Sequence, residues 1–118
     1  MRCTAASTSL CAYDATFSAG LLEAAAQALD SGGRCLLVAF DTAYPEPLYS
    51  QRPIPYPFAV GLVINSKETA TTKAALNISL TRDALDAMSA ATLESLRQSV
   101  PAARHPPPIR LRHNCYRR

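Results

Sequence analysis

Few residues of this chain carry groups that could do chemistry, and their spacing is the first thing to weigh. The cysteines are Cys3, Cys11, Cys35 and Cys115, and the two histidines are His105 and His113. No cysteine pair has CxxC spacing, and the histidines lie far from three of the four thiols, which argues against a zinc site. Cys35 sits in an apolar run and reads as a small buried hydrophobe. The carboxylates that could act as acid or base are Asp14, Asp41 and Glu46. None has a partner base that spacing reveals, and each is equally a helix cap or a solvated side chain. The sequence points to no cofactor and no metal.

The elements that would position these groups are clearer. Ser9 to Asp41 reads as a tight turn at Tyr13-Asp14, an apolar helix over Phe17–Leu29 running on to about Ser31, a Gly32-Gly33 stop and a strand over Cys35–Phe40. Glu23, Gln27 and Asp30 fall at i, i+4 and i+7 and form one narrow polar stripe. The remaining circumference is Ala, Leu, Phe and Gly, which predicts a helix buried between layers. Asp14 or Thr16 is expected to cap its start. The strand is apolar without alternation, as in a sheet covered on both faces. Thr4–Ala12 is expected as a preceding strand, which would make strand, helix and strand a parallel crossover unit.

Asp41–Pro57 holds five prolines and three of the five tyrosines, so it is an irregular loop. Placed after a strand, it is either a ligand-contacting loop or a plain connection stiffened by proline. Phe58–Asn65 is a second apolar strand, and Ala74–Leu80 is expected to pair with it as a hairpin. Thr81 then caps a predicted amphipathic helix over Arg82–Ser99, with Leu85, Met88, Thr92 and Leu96 on its apolar face. Pro101 closes it.

With 118 residues, 48% hydrophobic and 18% charged, the chain suits one small globular domain. Its net charge of +3 is unevenly spread. Residues 1–100 hold seven Lys or Arg against nine Asp or Glu. The tail from 101 to 118 adds Arg104, Arg110, Arg112, Arg117 and Arg118 and no acid. Residues 101–118 are therefore expected to be a disordered basic Pro/Arg-rich tail, with Pro106–Pro108 favouring extended polyproline geometry. After Arg2 the chain is too polar for a secretory h-region, and no apolar run approaches the ~20 residues of a membrane span. A reduced, cytoplasmic protein is expected.

The segments AYDATFSAGLLEAAAQAL, LLVAFDTAYPEPL and PFAVGLVI resemble the β-ketoacyl synthase-like N-terminal domain of the thiolase superfamily, and most closely its small branch from bacterial clusters for aryl-polyene and related acyl chains. The likeness covers roughly residues 4 to 80, within a domain expected over 1–100. It implies a partial thiolase-like α/β fold: a layered structure with a mixed sheet, a buried central helix and an amphipathic outer helix. The family's first strands would precede Thr4, so the chain is read as the middle of a domain, a fragment or truncated gene product.

In that family a strand delivers a nucleophilic cysteine to the start of the central helix, where the N-terminus favours a thiolate. Two histidines then serve decarboxylative condensation. The resemblance places the nucleophile at Ala15, within about one residue, and neither Asp14, Ala15 nor Thr16 is a cysteine. Cys11 lies four residues too early. His105 and His113 lack the neighbours of the family's histidine motifs. An alanine cannot attack a thioester, so no catalytic residue is assigned.

Three functions follow as alternatives. The first is a non-condensing β-ketoacyl synthase-like protein of fatty-acid or polyketide-type synthesis, with an acyl carrier protein and an active ketosynthase as partners. The second is a binding module using the Arg-rich tail on nucleic acid or another anionic surface, although no aromatic interleaving or groove-reading helix accompanies it. The third is an enzyme using Asp14, Asp41 or Glu46.

Overall fold

The structure is a computed structural model and describes residues 4–80, 89–103 and 109–114. A one-turn 3-10 helix at Tyr13–Ala15 leads into α1, Thr16–Ser31. β1 is Arg34–Asp41, α2 is the short Leu48–Gln51, and β2 is Phe58–Asn65. β3 is Ala75–Leu80, α3 is Ala91–Ser99, a second 3-10 turn covers Pro101–Ala103, and β4 is Ile109–Asn114. The expected α/β class is what the chain adopts.

α1 ends where the sequence says it should. Gly32 takes a left-handed φ of 64°, the C-terminal stop that costs glycine no Cβ clash. Its start differs from expectation. The N-cap is Ala15, with no side-chain cap. Thr16 is already helical, and its hydroxyl turns back into the preceding turn, accepting from the Ala12 N–H at 3.0 Å and donating to the Tyr13 carbonyl at 2.7 Å. Asp14 is drawn away by Arg52.

Sheet topology departs further. β1 and β2 run antiparallel, with Leu37 opposite Leu62 and Phe40 opposite Ala59. β3 pairs with β4, also antiparallel, in a separate two-stranded ribbon. Thr4–Ala12 forms no strand, so the parallel crossover and the mixed sheet are not seen among the described residues. The expected β2–β3 hairpin is absent for a local reason. The link between the two strands lacks the tight Gly-containing turn that would impose a register. β4 also alters the picture of the tail: Ile109–Asn114, expected to be disordered, is paired strand.

α1 packs on one face of the β1–β2 ribbon. Ser18, Gly20, Leu21, Ala24 and Ala28 are buried, while Leu22 and Leu29 are exposed. The expectation of a helix enclosed on most sides is thus corrected to one-sided burial. Gly20 sets the approach distance, since a Cβ there would meet the Leu37 Cδ1 at 3.0 Å. The ribbon's other face is open: Leu36, Val38, Phe40 and Val63 are each more than half exposed. Strict alternation of burial along β1 and β2 follows from the period-2 geometry of strands.

The core is completed from late in the chain. Ala39, Val100 and Ala102 form its buried cluster, with Phe17, Phe58, Val60 and Leu96 packed around them. The predicted helix over Arg82–Ser99 is shorter than expected among the described residues. Ser89 and Ala90 are bends, and Ala90 is extended (φ −91°, ψ 113°), so α3 begins at Ala91. Serine favours such breaks because its hydroxyl competes for backbone groups. Leu96 is half-buried and Thr92 exposed, whereas Thr81, Leu85 and Met88 lie outside the described residues.

Candidate functional site at the start of the central helix

The turn before α1 is where chemistry-bearing residues converge. Tyr13 holds a φ of 54°, a left-handed value that is costly for a bulky L-residue. The turn is closed by the Ala15 N–H donating to the Ala12 carbonyl at 2.9 Å. Arg52, just past α2, reaches across to this turn. Its guanidinium pairs with the Asp14 carboxylate and lies over the Tyr13 ring, 3.9 Å from the centroid. One arginine therefore fixes the Pro/Tyr loop to the N-terminal end of α1 by an ion pair and a cation–π contact.

The other carboxylates are also engaged. Asp41, at the end of β1, accepts a hydrogen bond from the Ala102 N–H. Glu46 accepts from the Ser50 hydroxyl at 2.6 Å and from the Ser50 N–H at 3.3 Å, which braces α2. Tyr44 lies within electrostatic reach of Asp41, Cys11 and Tyr13. Its phenol is pushed above its ordinary pKa, first by burial and then by Asp41, Cys11 and Tyr13. Cys11 is an exposed free thiol, and Cys35 a half-buried one. The Cys35 thiol lies 3.8 Å from the Gln27 amide oxygen, on the polar stripe rather than in the core. The stripe itself is as read from the spacing: Glu23, Gln27 and Asp30 are exposed, and the Gln27 amide donates to Glu23 at 2.8 Å.

Asp14, Asp41 and Cys11 are thus brought near the start of α1, and Glu46 is held in the turn just before α2. Asp14, Asp41 and Glu46 all do structural work, as an ion-pair partner, a backbone acceptor and a brace. Among the described residues no group of three His, Cys, Asp or Glu side chains could hold a metal ion. His113 falls on β4 opposite Leu76 in the register, while His105 lies outside the described residues. Arg110 and Arg112 are on β4, and Arg104, Arg117 and Arg118 lie outside. Sequence reasoning missed Arg52 and Tyr13. They are far apart in the chain, and no local pattern joins them.

The position that matters most is the plainest one. Ala15 is the N-cap of α1, with a methyl group where an anion would be favoured by the open N–H groups and the helix dipole. A family model described as the β-ketoacyl synthase N-terminal domain matches residues 2–106. The match spans most of the chain, and the protein belongs to that family. It runs through the buried Val100 and Ala102, beyond the segments in which the likeness is visible by eye. The mixed α/β architecture is consistent with a partial thiolase-like fold. No curated protein and no solved structure matches the chain. No helix among the described residues is long and apolar enough to cross a membrane.

Proposed function

We propose that this protein is a non-condensing β-ketoacyl synthase-like component of fatty-acid or polyketide-type chain synthesis, of the kind found with aryl-polyene clusters. Ala15 carries the reading. A condensing enzyme needs a thiolate at the start of this helix, and the methyl of Ala15 has no lone pair with which to attack a thioester. Cys11 does not substitute for it, because the turn over Tyr13–Ala15 separates it from the helix terminus. The protein then acts as a fragment or partner subunit in the cytoplasm, engaging an acyl carrier protein and an active ketosynthase. The five arginines from Arg104 onward make the end of the chain basic.

The test is an acyl-transfer and decarboxylation assay with acyl and malonyl thioesters of a carrier protein, run with the chain alone and with a condensing partner. The expected outcome is no acyl-enzyme and no carbon dioxide from the chain alone, and an altered product length when a partner is present. A stable acyl-enzyme on this chain would overturn the reading.

A further inference from the structure

Between β1 and β2 the chain is fixed at two points. Asp41 ends its ladder opposite Phe58 and accepts the Ala102 N–H, and Ile54 is 2% exposed. Residues 42–53 bridge these points, and every residue of 45–51 is exposed, Leu48 to 59%. The bridge is braced within itself. The Leu48 and Tyr49 N–H groups donate to the Pro45 carbonyl, the Arg52 N–H donates to that of Leu48, and Ser50 donates to the Glu46 carboxylate. Among the described residues, none of its backbone groups hydrogen-bonds outside the segment, and Arg52 is its one side chain that does.

Arg52 therefore acts as a catch. Its two partners, the Tyr13 ring and the Asp14 carboxylate, both sit on the turn before α1. Cation–π and ion-pair contacts at a part-exposed guanidinium are individually weak. The left-handed φ of Tyr13 works against them, since release lets the turn relax. Opening such a segment costs far less free energy than unfolding the whole chain. We propose that residues 42–53 form a strap over the start of α1, hinged at Asp41 and Ile54 and latched by Arg52. Opening moves the strap and the Tyr13 turn together, while α1, β1 and β2 stay folded. It uncovers Asp14, Ala15 and Thr16, which are half-buried with the strap closed. Tyr44 and Arg52 line the same cleft as Tyr13 and Thr16, so the strap controls entry to the helix start from that side.

The experiment follows amide exchange of the 118-residue chain in urea kept below the unfolding transition. The Tyr49 and Arg52 N–H groups report the strap and the Ala15 N–H reports the turn, since each closes a local bond. All three are expected to exchange with little dependence on urea, and the β1 and β2 ladder amides with a steep one. Arg52→Ala should speed all three about 2- to 30-fold, through loss of both weak contacts. Salt at about 1 M should speed them in the unaltered chain by screening Arg52 from Asp14, and should do nothing further in Arg52→Ala. The Ala15 amide decides, because it lies across the latch from the strap. An Ala15 rate unmoved by Arg52→Ala would overturn the inference. So would Tyr49 and Arg52 amides that share the urea dependence of β1 and β2. If Arg52→Ala does not fold, the absence of any salt effect at Ala15 in the unaltered chain overturns it instead.

Discussion

Arg52 lies face-on to Tyr13, its guanidinium carbon 3.9 Å from the ring centroid, while the same group pairs with Asp14. Both contacts hold a turn whose central tyrosine has a left-handed φ. Arg52→Ala is expected to destabilise the chain by about 0.5–2 kcal/mol. The range combines ~0.5–1 kcal/mol for a partly exposed cation–π contact with ~0–1 kcal/mol for a screened ion pair. Arg52→Lys keeps the charge but loses the planar fork, and should recover less than half of that. Urea denaturation of the two variants measures both.

Val100 is fully buried, and Ala102 is buried with its N–H on Asp41. Cutting the chain after Ser99 should therefore cost several kcal/mol or abolish cooperative unfolding, and Val100→Ala alone about 1–3 kcal/mol. A chain ending at Val100 would still lose the Ala102 contacts and melt lower than the whole. Equal melting temperatures for the cut and complete chains would show that these contacts contribute nothing.

The one-sided packing of α1 gives a matched pair of variants. Ala24→Leu, on the buried face, should overpack the contact with β1 and cost ~1–3 kcal/mol. Ala26→Leu, on the exposed face, should be neutral within about 0.5 kcal/mol, because leucine is nearly as good a helix former as alanine. Denaturation midpoints of the two decide which face is buried.

Ala15→Cys or Thr16→Cys is not expected to confer condensing activity. A thiol at the helix start would gain thiolate character, but groups that act as a unit give little when one is restored alone. Release of carbon dioxide from a malonyl thioester by either variant would contradict this.

The raised phenol of Tyr44 has a pH consequence. Its ordinary value is 10.0, and folding moves it higher, so the unfolded chain loses this proton first. Its contribution to stability is therefore complete below about pH 10 and declines as pH rises through the folded value. In an ultraviolet titration, the Tyr44 phenol should ionise above the ordinary tyrosine value. Tyr44→Phe should remove that late step.

The parts legible in the sequence were those set by local rules. The 3.6-residue period placed α1 and its wet stripe of Glu23, Gln27 and Asp30, and Gly32 marked its end. Apolar runs placed β1 and β2. Long-range pairings were not legible: Arg52 with Tyr13, Ala102 with Asp41, and β3 with β4 join residues that no local pattern relates. Cys35–Phe40 also shows how composition misleads. A run apolar on both faces predicts cover on both, whereas Leu36, Val38 and Phe40 stand exposed. At the candidate site the resemblance pointed to Ala15, which stands at the N-cap of α1.

The core cluster, in which Ala39 meets Val100 and Ala102, governs when the protein can fold during synthesis. α1, β1 and β2 emerge from the ribosome first, but Phe17, Phe58 and Val60 have no complete core until Ala102 has been added. Through most of translation the nascent chain therefore carries apolar strands with little to cover them. Contacts of such long sequence separation form slowly, and unpaired strand edges are prone to aggregate meanwhile. A stop codon just before Val100 would leave a polypeptide with most of its secondary-structure signals and no way to close around them.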